Sequence, residues 1–253
     1  MKGLLALLFS LNASVVSAND GLHSFVKGLD TTLKYVHRAD SRPCENEALI
    51  PASSQSAKYQ GKAVTALSES DAQALFREMQ SHTEIPFDFA IAGCEERAHE
   101  MSRLMLLKGV RPLKMFASVD ENKSPRLEVP HPNGKDKRRW KFHVAPLVMV
   151  RINGKEVPYI IDPSMEKKAV PLQEWKKHMT LHDPKIPVMM DATIAEQYDI
   201  SGRYVRPFSD ESWNRANQEK LKEFKEYSKD PDGENNYLFQ MQRDLERMDM
   251  MDN

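Results

Sequence analysis

A cysteine, a histidine and an aspartate in this chain have the types and spacing of a nucleophilic site. Cys94 stands in Gly93-Cys94-Glu95-Glu96-Arg97-Ala98-His99, where a loop turns into a predicted helix. His143 stands in Trp140-Lys141-Phe142-His143-Val144-Ala145, and Asp162 in Ile161-Asp162-Pro163-Ser164. A thiolate attacks carbonyl carbon, an imidazole moves protons, and a carboxylate fixes the imidazole's tautomer and orientation. Such a site needs the three groups held by elements that bring them together.

For two of them the chain supplies a hairpin. Asn153-Gly154, flanked by apolar alternation, is the signature of a two-residue loop whose central residues both take positive φ. That loop pairs Ile152 with Lys155 and fixes the register beyond, so that Asp162 lies opposite Ala145. His143 shares Ala145's face because side chains alternate with period two. His143 and Asp162 then become diagonal neighbours within side-chain reach. A one-residue slip would send Asp162 to the other face and leave an unrelated surface His and Asp.

Cys94 is placed by a helix. Ala98, Met101, Leu104, Met105 and Leu107 recur at helical spacing, Lys108 suits the last turn, and Gly109 suits the C-terminal cap. The thiol therefore falls at the helix N-terminus, where the macrodipole and free N–H groups favour a thiolate and offer an oxyanion site. Gly93 permits a close approach of backbone or substrate. Taken alone, a cysteine here reads rather as a buried structural residue. The His/Asp hairpin favours the nucleophile.

Ile85-Pro86-Phe87, Gly93-Cys94, Arg97-Ala98-His99, Trp140 to Ala145, Ile161-Asp162-Pro163-Ser164, Pro171 and Trp175 together resemble the bacterial protein-glutaminase (protein-deamidating glutaminase) family. The resemblance runs in order over roughly residues 68–178. It implies an α+β fold with a papain- or transglutaminase-like core, catalytic roles for Cys94, His143 and Asp162, and deamidation of glutamine side chains in proteins. The chain departs from the secreted, disulfide-rich enzymes of that family in having two cysteines, a shorter front section and an unplaced helical tail.

Composition bounds the rest. A chain of 253 residues with 40% hydrophobic and 29% charged residues is long enough for a sizeable core. The net charge of -1 leaves no overall nucleic-acid footprint. No interior run approaches the ~20 apolar residues of a membrane helix. Lys2, the apolar run Leu4–Phe9 and Val16-Ser17-Ala18 read as a secretory signal with cleavage after Ala18, giving a secreted or periplasmic protein. Pairing Cys44 with Cys94 would silence the nucleophile.

The expected organisation is a signal peptide over 1–18, a helical and linker segment over 19–66, a catalytic domain over 67–207 and a helical extension over 208–253. Residues 20–38 carry an amphipathic stripe, and 39–61 read as linker. This front section is either a prosegment over the site, as the resemblance implies, or a packing extension. A helix near Ser70–Gln80 starts at Ser68 or Ser70. Residues 113–164 read as antiparallel sheet: strands at Leu113–Val119 and Arg126–Val129, then Trp140–Ile152 paired with Val157–Asp162. The tail carries two helical stripes, through Trp213, Ala216, Leu221, Phe224 and Tyr227 and through Tyr237, Met241, Leu245 and Met248.

Other features carry less chemistry. Lys135-Asp136-Lys137-Arg138-Arg139 is either a solvated loop or a basic lining of the substrate entrance. His178 and His182 have i, i+4 spacing without the glutamate of a zinc-protease motif. Asp230-Pro231-Asp232-Gly233 has too few oxygen ligands for a calcium loop. His99 points away from Cys94 by helical geometry, and Arg97 reads as a scaffold or ion-pair residue. The sequence thus predicts an exported cysteine hydrolase acting on proteins with accessible glutamine, with no metal or organic cofactor, no nucleic-acid partner and no stable membrane insertion. A cysteine peptidase or a transglutaminase would use the same triad, and a secreted binding module with a blocked thiol is the non-enzymatic alternative.

Overall fold

A computed structural model describes residues 53–89, 91–120, 126–130, 137–230 and 232–251. The expected signal, the 20–38 helix and Cys44 lie outside these residues. The fold is α+β, with a mixed seven-stranded sheet, a two-stranded sheet and five helices among the described residues.

Strands β1 (Gln55–Tyr59) and β2 (Lys62–Ser68) form an antiparallel hairpin about Gln60 and Gly61, both at positive φ. Part of the stretch read as linker is therefore strand. Ala57 is the sole fully buried residue of β1, so its alternation is too weak to announce it. Helix α1 (Glu69–Ser81) starts where Ser68 Oγ accepts the Asp71 N–H at 3.1 Å.

Helix α2 (Cys94–Leu107) ends with Gly109 at φ 70 and a backbone hydrogen bond from Val110 N–H to Met105 O. Next come β3 (Leu113–Ser118), β4 (Leu127–Pro130), β5 (Lys137–Trp140), β6 (Phe142–Ile152), β7 (Lys155–Ile160) and β8 (Val170–Pro171). Helix α3 (Leu172–Met179), strand β9 (Met189–Ile194), and helices α4 (Glu211–Lys229) and α5 (Gly233–Met251) complete the chain.

The sheet runs β1-β2-β6-β3-β9, and off this path β7 pairs with β6 and β8 with β7. Every pairing but one is antiparallel. The exception is β2 with β6, where Ala66 faces Met149; within 113–164 the strands pair antiparallel, as expected. Trp140 also leaves the long strand expected for it: the chain bends at Lys141, and Trp140 pairs with Leu127 in the small β4–β5 sheet.

Alternation along β6 builds a core on each face. Ala145, Leu147 and Met149 join Met115, Ala192 and the α3 residues Trp175 and Met179. Val148 and Val150 face Phe76 and Met79 of α1 and Met101 and Met105 of α2. Fully burying a side chain such as Phe76 or Met105 contributes about 1.5–3 kcal/mol. The helices bracket β6, the strand that carries His143. No helix among the described residues is long and apolar enough to cross a membrane.

Candidate active site

The β6–β7 hairpin has the register its turn demands. Asn153 and Gly154 take φ of 50° and 77°, and Ile152 pairs with Lys155. The ladder continues to Leu147 opposite Ile160, and Ile161 N–H then bonds Pro146 O at 2.9 Å. Asp162, just beyond the strand, therefore returns to the face of His143. Its Oδ2 lies 2.8 Å from His143 Nε2, with both residues buried.

Two tryptophans and a serine complete this pair. Trp175 Nε1–H donates to the same Asp162 Oδ2 at 2.8 Å. Oδ1 accepts the Ser164 N–H at 3.2 Å and the Ser164 hydroxyl at 2.5 Å. Burial alone would raise the Asp162 carboxyl, but the His143 charge and hydrogen bonds from His143, Ser164 and Trp175 hold it below the usual carboxylate value. Trp140 stacks on the imidazole at 4.6 Å between centroids and 15° between planes, and Trp175 lies 5.7 Å away on a tilt. An ionised carboxylate can only accept, so neutral His143 carries its proton on Nε2 and presents Nδ1 as the basic nitrogen. The sequence motifs contained Ser164 and both tryptophans, but nothing local revealed that all three converge on the His143–Asp162 pair.

Cys94 opens α2, with Gly93 at φ 84 before it. Ala98, Phe116 and Val144 join α2 to the sheet, and Cys94 and Phe142 pack against them. The thiol meets the His143 strand one residue on, through a hydrogen bond from the Val144 backbone. β7 ends opposite Leu147, and the thiol lies against the stretch of β6 beyond that point. Burial pushes the thiol up to about 12, against Arg97, with Glu95 and Glu96 pushing the same way as burial. The thiolate expected from the helix terminus alone is thus replaced by a neutral thiol, because desolvation outweighs the dipole.

Arg97 is a scaffold residue. Its buried Nη1–H groups donate to Phe89 O at 2.7 Å and Ala92 O at 2.9 Å, tying the loop before Cys94 to α2. His99 is structural as expected, buried against Phe208 with ring centroids 4.7 Å apart. Beside it Lys114, fully buried on β3, donates to Gln197 O at 2.8 Å. Burial pulls this ammonium down to about 7, opposed by Glu196, Glu95 and Glu96.

The secondary features resolve into structural roles. Lys137 and Arg139 both pair with Glu128, while Arg138 turns inward and donates to Asp88 O at 2.7 Å. The described part of the basic run is thus tied into the fold, because alternation on β5 sends its middle residue under the surface. His182 lies past the end of α3, so the i, i+4 relation with His178 is broken, and His178 pairs with Glu166 at 2.7 Å. Asp230 accepts from Asp232 N–H and the Asn236 amide as a turn cap. No group of potential metal ligands occurs among the described residues. Of the two tail stripes, Leu221, Phe224 and Tyr237 pack inward, whereas Met241 is exposed. The side chains of Leu245 and Met248 lie outside the description.

Comparisons with known proteins fall on the same segment. Residues 72–179 match the family described as glutaminase, which bears out the resemblance over the stretch holding Cys94, His143 and Asp162. No curated protein matches the sequence. Among solved structures, the NMR structure of protein-glutaminase from Chryseobacterium proteolyticum is 22% identical, with a TM-score of 0.45, covering 56% of this chain and 80% of that one. A mutant of pro-protein-glutaminase is 21% identical with a TM-score of 0.50, covering 66% of this chain and 62% of that one. The latter likeness supports the α+β architecture.

Proposed function

We propose, on the premise of a glutaminase-family segment spanning 72–179, that this chain deamidates glutamine side chains in proteins through Cys94, His143 and Asp162. The observation that carries the reading is the buried 2.8 Å hydrogen bond between His143 Nε2 and Asp162, within the same segment in which Cys94 opens α2 and packs against Val144. Binding of a glutamine carboxamide brings the γ-carbonyl carbon to Sγ. His143 Nδ1 takes the thiol proton as the S–C bond forms, which suits a site whose resting thiol is neutral.

Backbone N–H groups at the start of α2 hold the oxyanion of the tetrahedral intermediate. The protonated imidazole passes its proton to the departing nitrogen, ammonia leaves, and a thioester remains. Water then attacks the thioester carbonyl, giving a proton to His143. The thiolate leaves, recovers that proton, and glutamate is released. Asp162 keeps the imidazole oriented throughout and stabilises its charged form. In this reading the enzyme is exported, with residues 1–18 as its signal, and the catalytic domain spans 67–207.

The test is incubation with a folded, glutamine-containing protein, followed by ammonia measurement and intact mass. Exchange of carboxamide for carboxylate adds about one dalton per site and leaves the substrate chain whole, as side-chain attack requires. Chain fragments would identify a peptidase. Amine adducts exceeding hydrolysis would identify a transglutaminase. No reaction, with or without removal of the front section, would overturn the assignment.

A further inference from the structure

The segment that matches the glutaminase family ends at residue 179, yet the loop before Cys94 is also packed against helices beyond it. Phe224 of α4 lies directly over Gly93: a Cβ built on that glycine would sit 2.8 Å from two ring carbons. The same ring stacks on Phe89 at 5.1 Å, and Tyr237 of α5 meets Phe89 edge-on at 5.5 Å. Phe89, Leu221 and Phe224 are all buried. Asn217 Nδ2–H donates to Glu96 O at 3.2 Å, so α4 also grips the first turn of α2. Arg138 completes the arrangement, donating to Asp88 O and lying 3.9 Å from Glu234 of α5.

These contacts converge on one feature, the left-handed Gly93 that turns the loop into α2. A glycine at φ 84 has no steric preference of its own for that conformation over many others. Arg97 ties the loop's carbonyls from inside, and the aromatic cluster closes it from outside. We propose that the α4–α5 hairpin is a built-in clamp for the Cys94 loop, with Phe224 as a positioning residue that fixes Gly93 and so sets the exposure and aim of the thiol. This rests on Cys94 being the nucleophile, but its first readout does not.

The experiment uses the full chain carrying Cys44→Ser, so that Cys94 is the single thiol, and follows iodoacetamide alkylation by mass against pH. Phe224→Ala loosens the loop and relieves the burial that holds the thiol near 12. Alkylation at pH 8 is expected to accelerate about tenfold for each pH unit the thiol comes down, while ammonia release falls and Phe224→Leu lies between. Val64→Ala, which removes core volume in the β1–β2 hairpin, is the control: it lowers stability and leaves alkylation at the parent rate. Gly93→Ala and Phe224→Ala are expected to be non-additive, since loss of the ring removes the closest clash the added methyl meets, while the positive φ and Arg97 Nη1 at 3.1 Å weigh on Gly93→Ala in either background.

A folded Phe224→Ala or Phe224→Leu protein with the parental alkylation profile would overturn the clamp, as would an equal acceleration in Val64→Ala or full additivity with Gly93→Ala. Accelerated alkylation in a protein that never releases ammonia would uphold the clamp while removing the deamidase reading.

Discussion

Trp175 gives its indole N–H to the very oxygen of Asp162 that His143 uses, at the same 2.8 Å. With Ser164 on the other oxygen, every direction from which the carboxylate can be held is occupied by a donor. Trp175→Phe keeps the ring against the imidazole and deletes that one donor. A hydrogen bond to a charged group is worth about 1.5–3 kcal/mol, so turnover should fall roughly ten- to hundredfold. The Asp162 carboxyl rises with the loss of a donor, which moves the acid limb of the pH–rate profile upward. An unmoved acid limb would show that the indole N–H does not tune the pair.

Asp162→Asn should leave the fold cooperative and cut turnover by roughly four orders of magnitude, as wrong-tautomer variants of such triads do. Because the folded carboxyl lies below its ordinary value, the stability it contributes is present above about pH 4 and is lost as pH falls through the folded value. The parent should therefore lose its stability advantage over Asp162→Asn on acidification, read from denaturant melts at pH 7 and pH 3. An unfolded variant at pH 7 would assign Asp162 a structural role.

Cys94→Ala should abolish ammonia release, whereas Cys44→Ala should retain most of it. Full activity without the Cys94 thiol would refute the assignment of the nucleophile.

Lys114 provides a stability test independent of activity. Its ammonium is held near 7 in the fold, against about 10.4 in the unfolded chain. Between those values the unfolded state binds more protons, so this residue makes stability rise with pH. Lys114→Met removes the slope, and the variant should gain on the parent as pH drops from 10 to 7, by at most about 1.4 kcal/mol per pH unit. Parallel pH dependences in urea melts of the two proteins would contradict the lowering of the Lys114 ammonium.

The His143–Asp162 pair was legible in the sequence because a two-residue turn leaves its strands no freedom of register. The start of α2 was legible for a similar reason, since helical period and Gly109 bound it from both ends. Other features left no local trace. β1 buries too little to show its alternation, and β2 finds β6 only through a long-range parallel pairing. Arg138 looks like its neighbours in a charge run and is buried only because β4 and β5 pair. Phe224 shows in sequence as part of a helical stripe, with nothing to say that the stripe covers the loop before Cys94. The neutral state of the thiol likewise depends on packing against Phe116 and Val144, which no spacing announces.

The parallel meeting of Ala66 with Met149 has a consequence for the order in which the molecule assembles. β6 and β7 join through a tight turn and can associate within microseconds, whereas β2 must wait until α1, α2 and β3 have folded back to bring the distant segments together. The strand bearing His143 and the turn bearing Asp162 therefore belong to the early nucleus, and the β1–β2 hairpin docks last. Substitutions in β6–β7 should slow refolding, while those in β1–β2 should chiefly hasten unfolding, giving high and low φ-values respectively. Uniform φ-values across the two hairpins would contradict this order. The polar pair at the candidate site would then form before the edge of the sheet is sealed, and late fraying at the N-terminal hairpin would leave it intact.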